Sequence, residues 1–147
     1  MPQSLANVQI HLIFSTLNRT PNLAPEVIRE LHPYFAGTLN QMGYPIIEVG
    51  GVADHVHLLF RQSRTLTIAK VVQDLKTGSS KMLKSHIRDF SWQAGYGAFS
   101  VSPGESNSVV AYIRSQERHH RKETFQEEFR RILVELGVEF DERYVWD

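Results

Sequence analysis

The chain of 147 residues has no cysteine, which excludes disulfides and thiolate-bound metals. No run is long or apolar enough to span a membrane, and the N-terminus lacks the charged start and apolar centre of a secretion signal, so a cytoplasmic protein is expected. Net charge is also missing: 16 Lys plus Arg balance 16 Asp plus Glu, which argues against a nonspecific polyanion binder. Neither an internal repeat nor a linker divides the sequence. With 41% hydrophobic and 22% charged residues, one domain over residues 1–147 with a single core is expected.

The balanced total hides an uneven distribution. Between Arg61 and Arg88 there are seven basic residues (Arg61, Arg64, Lys70, Lys76, Lys81, Lys84 and Arg88) and one acid, Asp74. From Glu117 onward, nine acids face six bases. The basic segment reads either as a solvated helix face or as a footprint for a nucleic-acid backbone, and on the second reading Lys76, Lys81 and Lys84 contact phosphates.

Periodicity sets out the elements. Val8, Ile10, Leu12 and Phe14 alternate with Gln9, His11 and Ser15, which predicts a first strand, buried partly on its second face through Ile13. Residues 26–42 predict a helix with Val27, Leu31, Phe35, Leu39 and Met42 on one side, where Pro33 is expected to bend it or mark a false start. Residues 46–52 and 55–60 read as two strands joined around Gly50, Gly51 and Asp54. A second helix follows over 67–87. Its central Thr77-Gly78-Ser79-Ser80 is a weak helix former, suited to the close approach of another backbone or a phosphate. Residues 96–102 predict a fourth strand, Ser106 or Asn107 caps a helix to about His119, and Thr124 with Glu127 has capping-box spacing for a last helix to about residue 136. The order is that of an α+β, ferredoxin-like split βαβ arrangement: an antiparallel sheet followed by C-terminal helices.

Two stretches carry chemistry. In Asp54-His55-Val56-His57-Leu58-Leu59, strand alternation projects His55 and His57 from the same face, close enough to share one metal ion. In Tyr112-Ile113-Arg114-Ser115-Gln116, the first and last residues lie one helical turn apart on one face. Together they offer a metal held by two imidazoles and an amide oxygen with a phenol beside it, a set suited to cutting a phosphodiester by attack of tyrosine. The bland alternatives are surface or core histidines and an ordinary helical stripe containing Tyr112, although Gln116 is a strange core residue because a buried amide needs partners. Asp54 either orients an imidazole or serves as a turn residue, and His119 and His120 are either structural or contacts for DNA.

The chain resembles the HUH-type single-tyrosine transposases of the insertion-sequence-200/605 type, including their relatives that act on repeated extragenic palindromes. The resemblance runs through His11-Leu12-Ile13-Phe14-Ser15-Thr16, the His55-Val56-His57 core, Trp92 to Ser102, Tyr112 to Gln116 and Phe140 to Tyr144. It implies that His55, His57 and Gln116 bind a divalent metal, and that Tyr112 is the nucleophile forming a 5′-phosphotyrosine with single-stranded DNA. It also implies recognition of DNA hairpins, and a homodimer in which one subunit's tyrosine helix can complete the other's site. Imidazole ligands alone lean toward Zn, Ni or Mn; the resemblance points to Mg2+ or Mn2+. Two other functions fit the same residues: a noncatalytic binder of hairpin nucleic acid, and a metal-dependent, domesticated single-strand endonuclease that uses water.

Overall fold

Alternation builds the first strand of the computed structural model, which describes residues 2–147. In β1 (Gln9–Ser15), Ile10, Leu12 and Phe14 enter the main core while His11 and Ile13 turn to the opposite face. The chain continues through α1 (Pro25–Gln41), β2 (Ile46–Val52), β3 (His55–Arg61), α2 (Ile68–Lys84), β4 (Gly97–Val101), α3 (Ser106–Arg114), α4 (Gln116–His119) and α5 (Phe125–Glu135). The strands form one antiparallel sheet in the order β2-β3-β1-β4. This is the expected ferredoxin-like topology with added C-terminal helices.

One face of the sheet is covered by α1 and α2. Val27, Leu31, Phe35 and Leu39 of α1 and Val71, Val72, Leu75 and Leu83 of α2 pack there against Leu12, Phe14, Val56, Leu58 and Phe60. Pro33 neither bends α1 out of existence nor marks its start; the helix runs through it, with the ring on the exposed side. Burying four apolar side chains at roughly 1.5–3 kcal/mol each outweighs the roughly 3 kcal/mol cost of an interior proline.

The weak centre of α2 is held by contacts. Gly78 faces the Tyr34 hydroxyl so closely that a Cβ would collide with it, so what the small residue admits here is a side chain of α1 rather than a backbone or a phosphate. Ser79 Oγ donates to the Leu75 carbonyl at 2.6 Å and accepts from Trp92 Nε1 at 2.9 Å, satisfying the buried indole.

The other face positions the site. Ile13 and Phe99 meet Phe125, Phe129, Ile132 and Leu133 of α5, and Leu59 and Val101 meet Ile113 of α3. The close approach of α3 requires Gly50, where a Cβ would lie 2.5 Å from the Ile113 carbonyl oxygen. The predicted helix over 106–119 is broken at Ser115. Its hydroxyl donates to the carbonyls of Ala111 and Tyr112, each at 3.0 Å, competing with continued helix and dividing the segment into α3 and α4. The predicted capping box at Thr124 and Glu127 is formed and starts α5. Beyond α5, Trp146 packs on Phe125 and Phe129, and Gly95 N donates to the Asp147 carbonyl at 2.8 Å.

Candidate active site

His55 and His57 project from β3 on the face away from α1 and α2, and both are fully buried. Burial obliges each ring nitrogen to find a partner. His55 Nδ1 meets Asp54 Oδ1 at 2.7 Å, and its Nε2 lies 3.0 Å from Gln116 Oε1. Asp54 therefore does sit in the turn before β3, and its carboxylate also fixes the His55 ring. His57 Nδ1 lies 2.8 Å from Nε2 of His11, its diagonal neighbour across the β1–β3 pair.

The remaining nitrogens converge on a residue that the sequence reading passed over, Glu128 of α5. Its Oε1 lies 3.1 Å from His57 Nε2, 3.3 Å from His55 Nε2 and 3.1 Å from His120 Nε2. Its Oε2 accepts from Gln116 Nε2 at 3.0 Å and from the Tyr112 hydroxyl in a short hydrogen bond. The Tyr112 oxygen also accepts from Arg131 Nη2 at 3.0 Å. Tyr112 is half-buried, and its ring centroid is 5.9 Å from that of His57 within the same chain. His120 belongs to this buried cluster, whereas His119 stacks obliquely on Tyr112 at 4.9 Å and bonds Ser115.

Glu128 had a legible signal. It lies three residues after Phe125 and four before Ile132, on the apolar face of α5, where an unpaired carboxylate would be expensive to bury. The adjacent Glu127, exposed and serving the cap, makes the pair look like surface charge. His11 gave less: one polar residue in an alternating strand. Arg131 gave none, because an arginine in a helix rich in charge is ordinary.

The electrostatics follow from burial and pairing. Burial, assisted by neighbouring histidines and opposed by Glu128, holds His57 down to about 4. Burial and His57 hold His11 down to about 3. His55 goes the other way: burial alone would lower it, but the hydrogen bonds and charges of Asp54 and Glu128 raise it to about 9. Burial would raise the Glu128 carboxyl, yet hydrogen bonds from His120, His55 and His57 hold it well below the usual range. Burial and the Glu128 carboxylate push the Tyr112 phenol above its ordinary value, with Arg131 opposing.

His55, His57 and Glu128 present donor atoms all within 4.8 Å of one another. Adjacent donors around a cation with bonds of about 2.1 Å stand about 3.0 Å apart in an octahedral shell. The separations of 3.0 Å (His55 to Gln116), 3.3 Å (His55 to Glu128) and 3.1 Å (His57 to Glu128) match that spacing, so the residues fit one divalent ion.

The three lysines separate. Lys76 Nζ donates to the carbonyls of Gln93 (2.8 Å), Ala94 (3.3 Å) and Gly95 (2.8 Å) and lies over the Phe14 and Tyr96 rings, so its donors are engaged within the chain. Burial lowers it to about 8. Lys81 and Lys84 are exposed and, with Lys76, line a groove between α2 and residues 90–94.

The fold has counterparts among known proteins. A candidate transposase from Deinococcus radiodurans R1 superposes with a TM-score of 0.64 at 24% identity, over 79% of this chain and 95% of that one. A REP-associated tyrosine transposase bound to a REP hairpin superposes with a TM-score of 0.63 at 11% identity, over 82% of this chain and 72% of that one. At these identities the likeness is one of fold. No curated protein sequence matches the chain. The family model for IS200-like transposases, however, matches residues 4–116, a span from before β1 through Tyr112 to Gln116. The chain therefore belongs to the IS200-like transposase family.

Proposed function

We propose that this chain cuts and rejoins single-stranded DNA at hairpin-flanked ends through a 5′-phosphotyrosine at Tyr112, with a divalent cation held by His55, His57, Gln116 and Glu128. One observation carries the reading: the Tyr112 phenol and the paired imidazoles share a single buried carboxylate, Glu128. Two hard oxygen donors beside two imidazoles favour Mg2+ or Mn2+ over a purely nitrogen site. When bound, such an ion supplies Lewis-acid polarisation of a nonbridging phosphate oxygen.

The chain's own residues do the rest. Asp54 fixes the His55 ring, and Gln116 offers its amide oxygen to the donor set while its amide nitrogen donates to Glu128. In the free protein, burial and Glu128 keep the phenol protonated and so unreactive. Glu128 Oε2 already accepts the hydrogen bond of the proton that must leave, and Arg131 faces the oxygen on which charge develops. The phenolic proton is lost through Glu128 to solvent as the tyrosine oxygen bonds to phosphorus; the bond from phosphorus to the 3′ oxygen breaks and that oxygen takes a proton from water, leaving a free 3′-hydroxyl and a link that a second 3′-hydroxyl can reverse without ATP.

The hairpin bound by the structural neighbour supports DNA hairpins as the partner here. Lys81 and Lys84, rather than Lys76, supply the phosphate contacts. Tyr112 lies beside the histidines of its own chain, which supports cleavage in cis, and a homodimer exchanging this helix would serve strand transfer. Among the described residues no helix is long and apolar enough to cross a membrane.

The test uses single-stranded hairpin oligonucleotides, drawn from any imperfect palindromes in the flanking DNA, with Mn2+. A denaturation-resistant protein–DNA adduct, absent in Tyr112→Phe, is expected. Hairpin binding without an adduct would favour the noncatalytic reading, and cleavage persisting in Tyr112→Phe would favour attack by water.

A further inference from the structure

The two buried imidazoles of the site are backed differently. His55 Nδ1 faces the carboxylate of Asp54, a group that only accepts, so Nδ1 of that ring must carry a proton. His57 Nδ1 faces another imidazole, Nε2 of His11, at 2.8 Å, and an imidazole nitrogen either donates or accepts. A carboxylate or backbone carbonyl is the commoner backing for a metal-binding histidine. Position 11 therefore offers His57 a choice that position 54 denies His55.

The other side of His57 needs that choice. Its Nε2 lies 3.1 Å from Glu128 Oε1. A carboxylate oxygen accepts, so Nε2 carries the hydrogen, Nδ1 is bare and His11 Nε2 donates into it. For His57 Nε2 to serve as a metal ligand, the same atom must be bare. The neutral ring then carries its hydrogen on Nδ1 and donates to His11, whose Nε2 must become the acceptor.

We infer that His11 is a positioning residue acting as a tautomer relay, which lets His57 alternate between donating to Glu128 in the free protein and presenting a lone pair to a bound cation. The protons balance. His57 Nε2 loses one to solvent, His57 Nδ1 gains the one that His11 Nε2 gives up across the 2.8 Å bond, and His11 Nδ1 takes one from water. Both rings stay neutral throughout. His11 Nδ1 makes no hydrogen bond among the described residues, and the residue keeps 7% exposure, which leaves that nitrogen open to exchange. An acceptor-only residue at position 11 would instead set the lone pair of His57 Nε2 against the Glu128 carboxylate whenever the site lacks its ion.

The inference rests on the proposed cation site, and the experiment separates the two. Two-bond 1H–15N spectra of the histidine rings report which nitrogen is protonated, in the full-length protein at pH 7.5 with and without saturating Mg2+. Expected without the ion is Nε2–H on both His57 and His11; with it, Nδ1–H on both, while His55 keeps its Nδ1 proton. His57 in the Nδ1–H form before addition, or His11 unchanged after it, overturns the relay although the ion binds. Spectra showing no Mg2+ binding overturn the site reading itself. In His11→Phe, Mg2+ affinity should fall by roughly 10–100-fold. In His11→Gln, whose amide both donates and accepts, it should recover to within a few-fold, and equal loss in both variants would contradict the relay.

Discussion

Loading the site must expel a proton from His55, and this makes cation binding steeply dependent on pH. In the free protein its Nδ1–H donates to Asp54, and its Nε2–H faces Gln116 and Glu128, which accounts for a value raised to about 9. A cation competes for Nε2 with that proton. At pH 7 the competition costs about 2.7 kcal/mol, two units below the titration point at 1.36 kcal/mol per unit. Between pH 6 and pH 8 the apparent Kd for Mn2+ should fall by about 90-fold and level off only above pH 9. Isothermal titration calorimetry at pH 7, in two buffers of different ionisation enthalpy, should count about one proton released per Mn2+ bound. Asp54→Asn keeps an oxygen to orient the ring but removes the charge, so the same pH interval should move toward the about fourfold change of an unperturbed imidazole. A flat affinity from pH 6 to pH 8 with no proton released would refute the reasoning.

The metal-free protein should be most stable near pH 6.5. Below that, His11, His32 and His57, all held below their ordinary value chiefly by burial, take up protons on unfolding, and stability falls by up to about 1.4 kcal/mol per pH unit for each until their folded values near 3–4 are reached. Above it, the stability that protonated His55 contributes is lost as pH rises through about 9; a melting-temperature series across pH 4–10 checks both limbs. Gly50→Ala would drive a Cβ into the Ile113 carbonyl, shifting α3 and its tyrosine, and should cost roughly 1–3 kcal/mol in urea unfolding together with most adduct formation. Lys76→Met, which orphans three carbonyls, should destabilise by roughly 1–3 kcal/mol. Lys81→Gln with Lys84→Gln should leave the melt unchanged and reduce the salt slope of single-strand binding by about 1.4.

What the sequence disclosed and what it hid divide along sequence distance. The alternation around Val56 and Leu58 placed both histidines on one face of β3, and the β1 and α1 patterns found the core, because strand and helix periods act over a few residues. The capping box at Thr124 was readable for the same reason. For Glu128 only its odd place on an apolar helix face was local; its partners lie 71 residues away at His57 and 16 away at Tyr112, and only the folded packing of α5 on the sheet joins them. The carbonyl partners of Lys76 at residues 93–95 were hidden for the same reason, since they come to it only in space. The break at Ser115 turned on one hydroxyl's preference for the carbonyls behind it, a local choice that helix periodicity does not register.

The decisive measurement is mass spectrometry of proteolysed reaction mixtures containing hairpin oligonucleotide and Mn2+. A 5′-phosphonucleotide on the peptide bearing Tyr112, and on no other, is the predicted result. Cleaved DNA with that peptide unmodified would contradict the account.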